Sequence, residues 1–328
     1  MTKPKSNATK RISQVQEQKL TLGVDGGGTK TRAVIADQTH RVLGEGMAGP
    51  SNPLRVGISN AAAAVREAFD RACIVAGVER SSILAAEIGL AGVRREDVRQ
   101  RMREALAGLG LASLELVTDA DIALYGATDG KPGVVIIAGT GSVCRGKNVR
   151  GKYASAGGWG PVAGDEGSGW WIARRGLQAV AQAADGRGSA TSLTEAVRGC
   201  FNIDSADDLA TAVYAPSMTN ERIAGFGRCV IEAAKSRDKV ARGIIAEAGR
   251  ELGMAAAAVI HRLRMERERF QVAYVGGVFA AGDLVLDTLR TEVERVAPKS
   301  FLAPPVMSPA VAAARMAHEH LHRLAVAV

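Results

Sequence analysis

Three glycine-rich turns, each placed directly after an apolar segment, are the residues in this sequence that first suggest chemistry. They lie at residues 25–31, 139–142 and 276–277. Glycines in such turns let the backbone approach a ligand closely, and their N–H groups can form a nest for an anion. The first turn adds the hydroxyl of Thr29, the charge of Lys30 and Asp25, a carboxylate suited to Mg²⁺. Three such turns in one chain predict a nucleotide site in a cleft between two domains.

Asp119 is a candidate to act on a hydroxyl group. It stands where an apolar strand predicted at 114–117 gives way to a helix that begins near residue 120. Its position suits two roles equally well. A carboxylate there can cap the helix, as Thr118 or Asp121 also can, or it can accept the proton of a hydroxyl that attacks a phosphoryl group.

Residues 157–171 form the most unusual segment, because they contain all three tryptophans, six glycines and the adjacent carboxylates Asp165 and Glu166. A carbohydrate site needs an apolar face, backbone groups close to the ligand and a carboxylate that accepts hydrogen bonds from hydroxyls. Trp159 and Asp165 meet these needs. Trp170 and Trp171 are instead predicted to pack in the core at the start of a helix that runs to residue 184.

The elements that must position these residues repeat one pattern. Each half of the chain opens with a meander of three strands, in which a glycine-rich turn joins the first strand to the second. Alternating helices and strands follow. The predicted strands are residues 20–24, 32–36, 42–47, 83–90, 114–117, 133–138, 143–146, 152–155 and 272–275. The predicted helices are residues 60–75, 96–109, a segment from 120, and 221–237, 241–265, 283–296 and 309–324. This pattern predicts an α/β protein with an internal duplication.

The pattern also sets the predicted domain limits. We expect a disordered basic tail at 1–19, an N-terminal domain at 20–129 and a C-terminal domain at 130–328, with the last helix as a candidate to pack back on the N-terminal domain. The boundary falls at residues 129–133, Asp-Gly-Lys-Pro-Gly, which have the composition of a turn.

The composition excludes several classes of function. Half of the net charge of +8 lies within residues 1–19, and no basic stripe with aromatic residues follows, so nucleic acid is not an expected partner. The four cysteines show no CxxC spacing, which disfavours a zinc or iron–sulfur site. No apolar run reaches the roughly 18 residues of a membrane span, and no secretory signal is recognisable, which favours a cytoplasmic location. For His318, His320 and His322, a solvated helix end is favoured over a metal site.

Taken together, these motifs resemble the N-acetylglucosamine kinase family, which has a BadF/BadG/BcrA/BcrD-type ATPase domain and lies within the actin/Hsp70/hexokinase-like superfamily. The resemblance extends from Leu20 to the C-terminus. It is most specific in Gly-Gly-Trp-Gly at 157–160 and Gly-Asp-Glu-Gly-Ser at 164–168, with support from 23–31, 117–120, 137–142 and 276–278.

The resemblance implies two ribonuclease-H-like domains, each a mixed five-stranded sheet flanked by helices, that close over Mg-ATP and an amino sugar, commonly in a homodimer. It implies that Asp119 is the general base for the sugar 6-hydroxyl and that Asp25 binds Mg²⁺, directly or through water. The implied sugar contacts are Asn52, Thr140, Gly158, Trp159 and Asp165. The implied nucleotide contacts are Gly27, Gly28, Thr29, Lys30, Gly139, Gly141, Gly225, Gly276 and Gly277.

Two departures from the family pattern leave the acceptor open. Ala91 stands where some relatives have serine, and Ala156 stands where some have cysteine beside the acetyl group. Glucosamine and N-acetylmuramic acid therefore remain alternatives. A different class of function is an ATPase that activates a partner reductase or dehydratase. That class needs an iron–sulfur cluster, and Cys144, just after a phosphate loop, has no obvious second cysteine to pair with.

Overall fold

The computed structural model of the chain describes residues 19–326, with side chains as far as Arg323. The predicted basic tail therefore lies, except for Lys19, outside the described residues.

The first sheet contains five strands in the order β3-β2-β1-β4-β5. Strands β1 to β3 form an antiparallel meander, and β4 and β5 then run parallel to β1. The glycine turn at 25–31 joins β1 to β2, as the sequence predicts. The strands are β1 (Leu20–Gly26), β2 (Thr31–Ala36), β3 (Val42–Ala48), β4 (Ile83–Leu90) and β5 (Ser113–Thr118).

The second sheet repeats this arrangement in the order β10-β9-β6-β7-β8. Here β6 to β8 form the meander, and β9 and β10 run parallel to β6. The strands are β6 (Gly133–Ala138), β7 (Ser142–Lys147), β8 (Tyr153–Gly157), β9 (Gln271–Val275) and β10 (Phe301–Ala303). The predicted fold class, an α/β protein with two mixed five-stranded sheets flanked by helices, is confirmed.

The helices agree with the predicted ones to within a few residues at most ends. Four short elements, α1, α6, α7 and β10, were not predicted, because they hold too few residues to show a periodic pattern. The helices are α1 (Pro53–Val56), α2 (Ile58–Ala76), α3 (Glu96–Leu106), α4 (Asp119–Thr128), α5 (Gly169–Ala184), α6 (Leu193–Phe201), α7 (Leu209–Val213), α8 (Asn220–Lys235), α9 (Lys239–Leu263), α10 (Asp283–Val296) and α11 (Pro309–Val326).

Each sheet has its own hydrophobic core. Around the first sheet, α2 packs so closely on β3 that a Cβ atom at Gly46 would lie 2.0 Å from the carbonyl oxygen of Ala68. The alanines of α2 and the glycines of β3 thus match each other, since neither surface carries a bulky side chain. Helix α9 packs directly on β6, β7 and β8 of the second sheet, and α5, α8 and α10 add their apolar side chains to the same core. Helix α4 packs on β6 and β9.

The last helix, α11, lies against the first sheet although it follows the second one in sequence. Thr21 in β1 donates its hydroxyl to the carbonyl oxygen of Ala314, at 3.0 Å. A Cβ atom at Gly23 would lie 2.1 Å from the carbonyl oxygen of Ala310, so this contact requires glycine. The C-terminal helix therefore links the two halves, because it follows the second sheet in sequence and packs on the first sheet in space.

This packing corrects, for His318 and His320, the prediction that the histidines of α11 form a solvated helix end, whereas His322 is exposed as predicted. His318 is buried, and Nδ1 of His320 lies 3.0 Å from the carboxylate of Glu87, which is fully buried in β4. The pair raises the pKa of His320, whereas burial raises the pKa of Glu87. The prediction failed because it treated the helix alone, without the sheet that covers it.

No helix within residues 19–326 is both long enough and apolar enough to cross a membrane.

Candidate active site

The first glycine turn is held rigidly by the loops around it. The amide of Gly27 donates to the carbonyl oxygen of Lys30 at 2.9 Å, which closes the turn between β1 and β2. The carbonyl oxygens of Gly26 and Gly27 accept from the amides of Ala91 (2.8 Å) and Ser51 (3.0 Å). Because its carbonyl groups are used in this way, the turn leaves Thr29 and Lys30 exposed to solvent, where a ligand can reach them.

The second glycine turn is docked on the first residues of α5. The amide of Gly169 donates to Gly139 O at 2.8 Å, and the amide of Trp170 donates to Thr140 O at 3.2 Å. Within the turn, the amide of Gly139 donates to Gly141 O at 2.9 Å. The turn is therefore preorganised by backbone contacts before any ligand binds.

The third turn lies directly beside the second. Gly276 has a φ angle of 120°, and a Cβ atom there would lie 2.2 Å from Ala138 O, just before Gly139. Glycine is thus required at 276 both by conformation and by space. Apart from the glycine itself and its two chain neighbours, no described atom lies within 4 Å of the Cβ position of Gly139 or of Gly277. The two turns therefore border open space, as a nucleotide site requires.

Gly225, in α8, follows a residue that lies close to the second glycine turn. A Cβ atom at Gly169 would lie 2.9 Å from Gly139 O and 3.7 Å from the carbonyl oxygen of Ala224, the residue before Gly225. The predicted nucleotide contacts Gly139, Gly225 and Gly276 are thus brought together from β6, α8 and β9.

Asp119 is free for chemistry because other residues cap α4. Thr118 is the N-cap, its Oγ1 accepting from the amide of Asp121 at 3.3 Å, while the Asp121 carboxylate accepts from the amide of Thr118 at 3.1 Å. The Asp121 carboxylate also accepts from Nε of Arg145, at 2.6 Å. Asp119 Oδ1 accepts from the amide of Ala120 at 2.9 Å. The capping role left open by the sequence therefore belongs to Thr118 and Asp121.

The carboxylate of Asp119 is held in surroundings that suit a base. Burial raises its pKa to about 6, and the negative charges of Asp25 and Asp121 add to this rise. Asp25 is thus close enough to Asp119 for the two carboxylates to repel each other. At neutral pH Asp119 is still ionised, with a pKa near enough to the working range to take up a proton.

Asp25 is the predicted Mg²⁺ ligand. Burial raises its pKa, and the charges of Lys30 and Arg32 oppose that rise. Within residues 19–326 there is no group of three or more His, Cys, Asp or Glu side chains placed to hold a metal. Mg²⁺ bound with a nucleotide needs only one or two carboxylates, since phosphates and water supply its other ligands. Asp25, near the end of β1 beside the first glycine turn, fits that requirement.

The segment predicted to bind sugar folds back on the second glycine turn through Asp165. This side chain is buried, and its Oδ1 accepts from the amide of Ser142 at 3.3 Å. A Cβ atom at Gly141 would lie 2.7 Å from Asp165 Oδ2. Asp165 has a φ angle of 60°, which is strained for a residue other than glycine and is common at functional sites.

Two further predicted sugar contacts, Trp159 and Asn52, lie in different environments. Trp159 is 68% exposed, and the guanidinium of Arg94 lies 5.2 Å from its ring centroid. Since Arg94 follows β4 and Trp159 follows β8, this contact joins the two halves. Asn52 caps α1, its Oδ1 accepting from the amide of Leu54 at 3.0 Å. A Cβ atom at Gly92 would lie 2.3 Å from this oxygen.

The other two tryptophans of residues 157–171, Gly158 and an adjoining pocket are the last parts of the candidate site. Trp171 is buried, in agreement with its predicted core role, while Trp170 is half-buried and Gly158 is exposed. A pocket of about 330 Å³ adjoins the sugar segment, with Ala156, Glu166 and Glu251 among its lining residues.

Sequence reasoning missed Arg55, Glu221 and Glu251. Arg55 and Glu221 form an ion pair across 166 residues of sequence, and Glu251 lies in a long helix where it shows no local signal. The one available signal was that Arg55 lies three residues after Asn52, a predicted sugar contact.

Comparison with known proteins places this site in a family. The profile of the BadF/BadG/BcrA/BcrD ATPase family matches residues 22–317. The chain is 32% identical to the N-acetylmuramic acid/N-acetylglucosamine kinase of Clostridium acetobutylicum, over 83% of this chain and 89% of that one. It is 29% identical to the N-acetyl-D-glucosamine kinase of Dictyostelium discoideum, over 91% and 97%.

Solved structures agree. A protein from Chromobacterium violaceum assigned as an N-acetylglucosamine kinase superposes with a TM-score of 0.76 at 30% identity, covering 92% of this chain and 99% of that one. The family profile, which matches residues 22–317, extends over both sheets and every segment of the candidate site. The chain therefore belongs to the BadF/BadG/BcrA/BcrD ATPase family, as an enzyme related to amino-sugar kinases, and the family expected from its motifs is confirmed.

Proposed function

We propose that this enzyme is a sugar kinase that transfers the γ-phosphoryl group of Mg-ATP to the 6-hydroxyl of N-acetylglucosamine. The observation that carries the proposal is the position of Asp119, a half-buried carboxylate that does not cap α4 and that lies near Asp25. The names of the relatives support the choice of an amino sugar.

In the proposed reaction the sugar O6 attacks the γ-phosphorus. A new O6–P bond forms, the bond between the γ-phosphorus and the bridging oxygen breaks, and ADP leaves with the electron pair of that bond. The proton of the hydroxyl passes to Asp119. Asp165 orients the acceptor by accepting hydrogen bonds from sugar hydroxyls, and the backbone amides of the glycine turns bind phosphate oxygens.

Mg²⁺ would neutralise charge on the phosphate oxygens when it is bound with ATP. Asp25 is the residue that would hold it, because its carboxylate stands beside the first glycine turn and is not engaged in capping a helix. The homodimer and the cytoplasmic location remain predictions, carried over from the family resemblance and from sequence composition.

A second candidate acceptor is glucosamine, which is favoured by the pocket beside the sugar segment. Ala156 lines this pocket together with Glu166 and Glu251, and no basic side chain is among its lining residues. A carboxylate-lined pocket attracts an ammonium group and repels the lactyl carboxylate of N-acetylmuramic acid. The geometry therefore ranks glucosamine above N-acetylmuramic acid as an alternative.

The test measures ADP release from Mg-ATP by the purified protein without sugar and with N-acetylglucosamine, glucosamine, N-acetylmuramic acid or glucose. We expect an amino sugar to raise the rate well above the sugar-free rate, with a sugar 6-phosphate as the product in ³¹P NMR. Asp119→Asn serves as the control, since it should abolish the sugar-dependent part. A high sugar-free rate that no sugar changes would instead support an ATPase that acts on a partner protein.

A further inference from the structure

Arg55 occupies an unusual position at the end of α1, where its guanidinium lies over the first glycine turn. A Cβ atom at Gly28 would lie 3.0 Å from Nη1 of Arg55 and 3.4 Å from its Cζ. The same guanidinium forms an ion pair with Glu221, in the first turn of α8. One side chain from the first half of the chain thus spans the cleft between a predicted phosphate turn and the helix that carries Gly225.

The charge of Arg55 also acts on a third group, the carboxyl group of Asp165. Burial raises the pKa of Asp165, and the positive charge of Arg55 is among the influences that oppose this rise. Arg55 therefore stands near the carboxylate proposed to orient the sugar as well as near the turn proposed to bind phosphate. The group that must lie between these two places during transfer is the terminal phosphate of ATP.

The ion pair between Arg55 and Glu221 is weak enough for a ligand to break. The side chains of Arg55 and Glu221 are 38% and 39% exposed, and ion pairs with this much exposure are weak. A guanidinium offers five N–H donors in a planar fork that matches phosphate oxygens well. A phosphate group, which carries more negative charge than one carboxylate, is therefore able to take Arg55 from Glu221.

We propose that Arg55 binds the terminal phosphate of ATP, and that Glu221 holds its guanidinium over the first glycine turn until the nucleotide arrives. This inference rests on the proposed kinase function. It assigns Arg55 a direct contact with substrate and makes Glu221 a positioning residue that competes with that substrate.

The proposal predicts opposite effects for the two members of the pair. Binding of the non-hydrolysable analogue AMPPNP and of ADP, each with Mg²⁺, is measured by calorimetry in the absence of sugar. Arg55→Ala should weaken AMPPNP binding about 10- to 100-fold, the range for losing hydrogen bonds to a charged group, and change ADP binding by less than about threefold. Glu221→Gln should leave AMPPNP binding unchanged or tighten it by up to about fivefold, because it removes a weak competing pair.

Controls separate this effect from a general loss of charge or of structure. Arg290 and Asp287 form an exposed pair on α10, so Arg290→Ala and Asp287→Asn remove the same charges from another part of the surface. These control variants should bind AMPPNP as the unmodified protein does. Arg55→Gln, which keeps most of the side-chain length, should behave as Arg55→Ala does, and thermal unfolding should show all variants folded.

Two results would overturn the proposal. If Arg55→Ala and Glu221→Gln weaken AMPPNP to the same extent, the pair only holds the two halves together. If Arg55→Ala weakens AMPPNP and ADP equally, Arg55 does not recognise the terminal phosphate. The binding assay contains no sugar, so its result is independent of the acceptor. A protein that binds nucleotide as predicted but phosphorylates no sugar would refute the proposed function and leave the role of Arg55 intact.

Discussion

The substitution Asp119→Asn should move activity and stability in opposite directions. Asparagine has nearly the same shape as aspartate but cannot accept a proton. Losing a positioned base lowers kcat by about 10²- to 10⁴-fold. Nucleotide affinity should change little, because residue 119 is not part of the glycine turns that are proposed to bind the nucleotide.

The gain in stability follows from the raised pKa of Asp119. This pKa is about 6 in the folded protein, whereas an unperturbed Asp has a pKa of 3.8. The folded state therefore binds the proton more tightly than the unfolded state, so the ionised carboxylate destabilises the fold above pH 6. A shift of about two pKa units corresponds to about 3 kcal/mol, so removing the charge should raise the free energy of unfolding by about 1–3 kcal/mol at neutral pH.

Urea unfolding of both proteins at pH 7.5 and at pH 4 tests this reasoning, together with kcat measured at saturating substrates. The stability difference should be largest at pH 7.5 and should shrink towards pH 4, where Asp119 of the folded protein is protonated. In the unmodified enzyme, kcat should fall as the pH drops below about 6, because the base is then protonated.

Asp121→Asn provides the matched control. This neighbouring carboxylate accepts from the amide of Thr118 and pairs with Arg145, so its loss should lower the free energy of unfolding by about 1–2 kcal/mol. If Asp119→Asn also lowers stability, or keeps near-normal turnover, the view of Asp119 as a half-buried base that does not cap α4 is wrong.

Three further substitutions test other parts of the site and fold. Asp165→Asn should raise the KM for the sugar at least tenfold and leave the KM for ATP within about threefold, and equal changes in both would indicate a structural role. Gly276→Ala should lower the free energy of unfolding by at least about 2 kcal/mol in urea titrations, since its φ of 120° and its close neighbours exclude a Cβ atom, whereas Gly277→Ala, with open space, should cost much less. His320→Ala should lower the thermal midpoint, because it leaves the buried carboxylate of Glu87 without its ion-pair partner, and an unchanged midpoint would contradict that pairing.

Much of the fold was readable from local sequence patterns. The turn at 25–31 lies between β1 and β2, and the turn at 139–142 lies between β6 and β7, as predicted. Glycine clusters directly after apolar runs are typical of turns, so both could be located from residues that are neighbours in sequence. The short elements α1 and β10 escaped prediction, since four and three residues carry no usable period.

The candidate site was predictable where its chemistry lies in contiguous motifs. Asp119, Asp165 and the glycine turns could be named because each stands in a short segment whose residue types suit a base, a sugar contact or a phosphate nest. The effects of these segments on one another, such as a change in pKa, were not predictable from the sequence. The pKa of Asp119 depends on its burial and on Asp25, a residue 94 positions earlier in the chain.

The amino-acid sequence by itself determined the two repeated meanders, their glycine turns and the family to which the chain belongs, because all of these depend on residues that are neighbours along the chain. The last helix was a candidate to pack back on the N-terminal domain, but only the tertiary structure decided that it buries His318 there and that Arg55 meets Glu221 across the cleft. The physical reason is that burial and charge act through space. The pattern of a helix shows which face is apolar, but not which sheet will cover that face. The residues next to a single arginine in sequence do not show which distant carboxylate will pair with it.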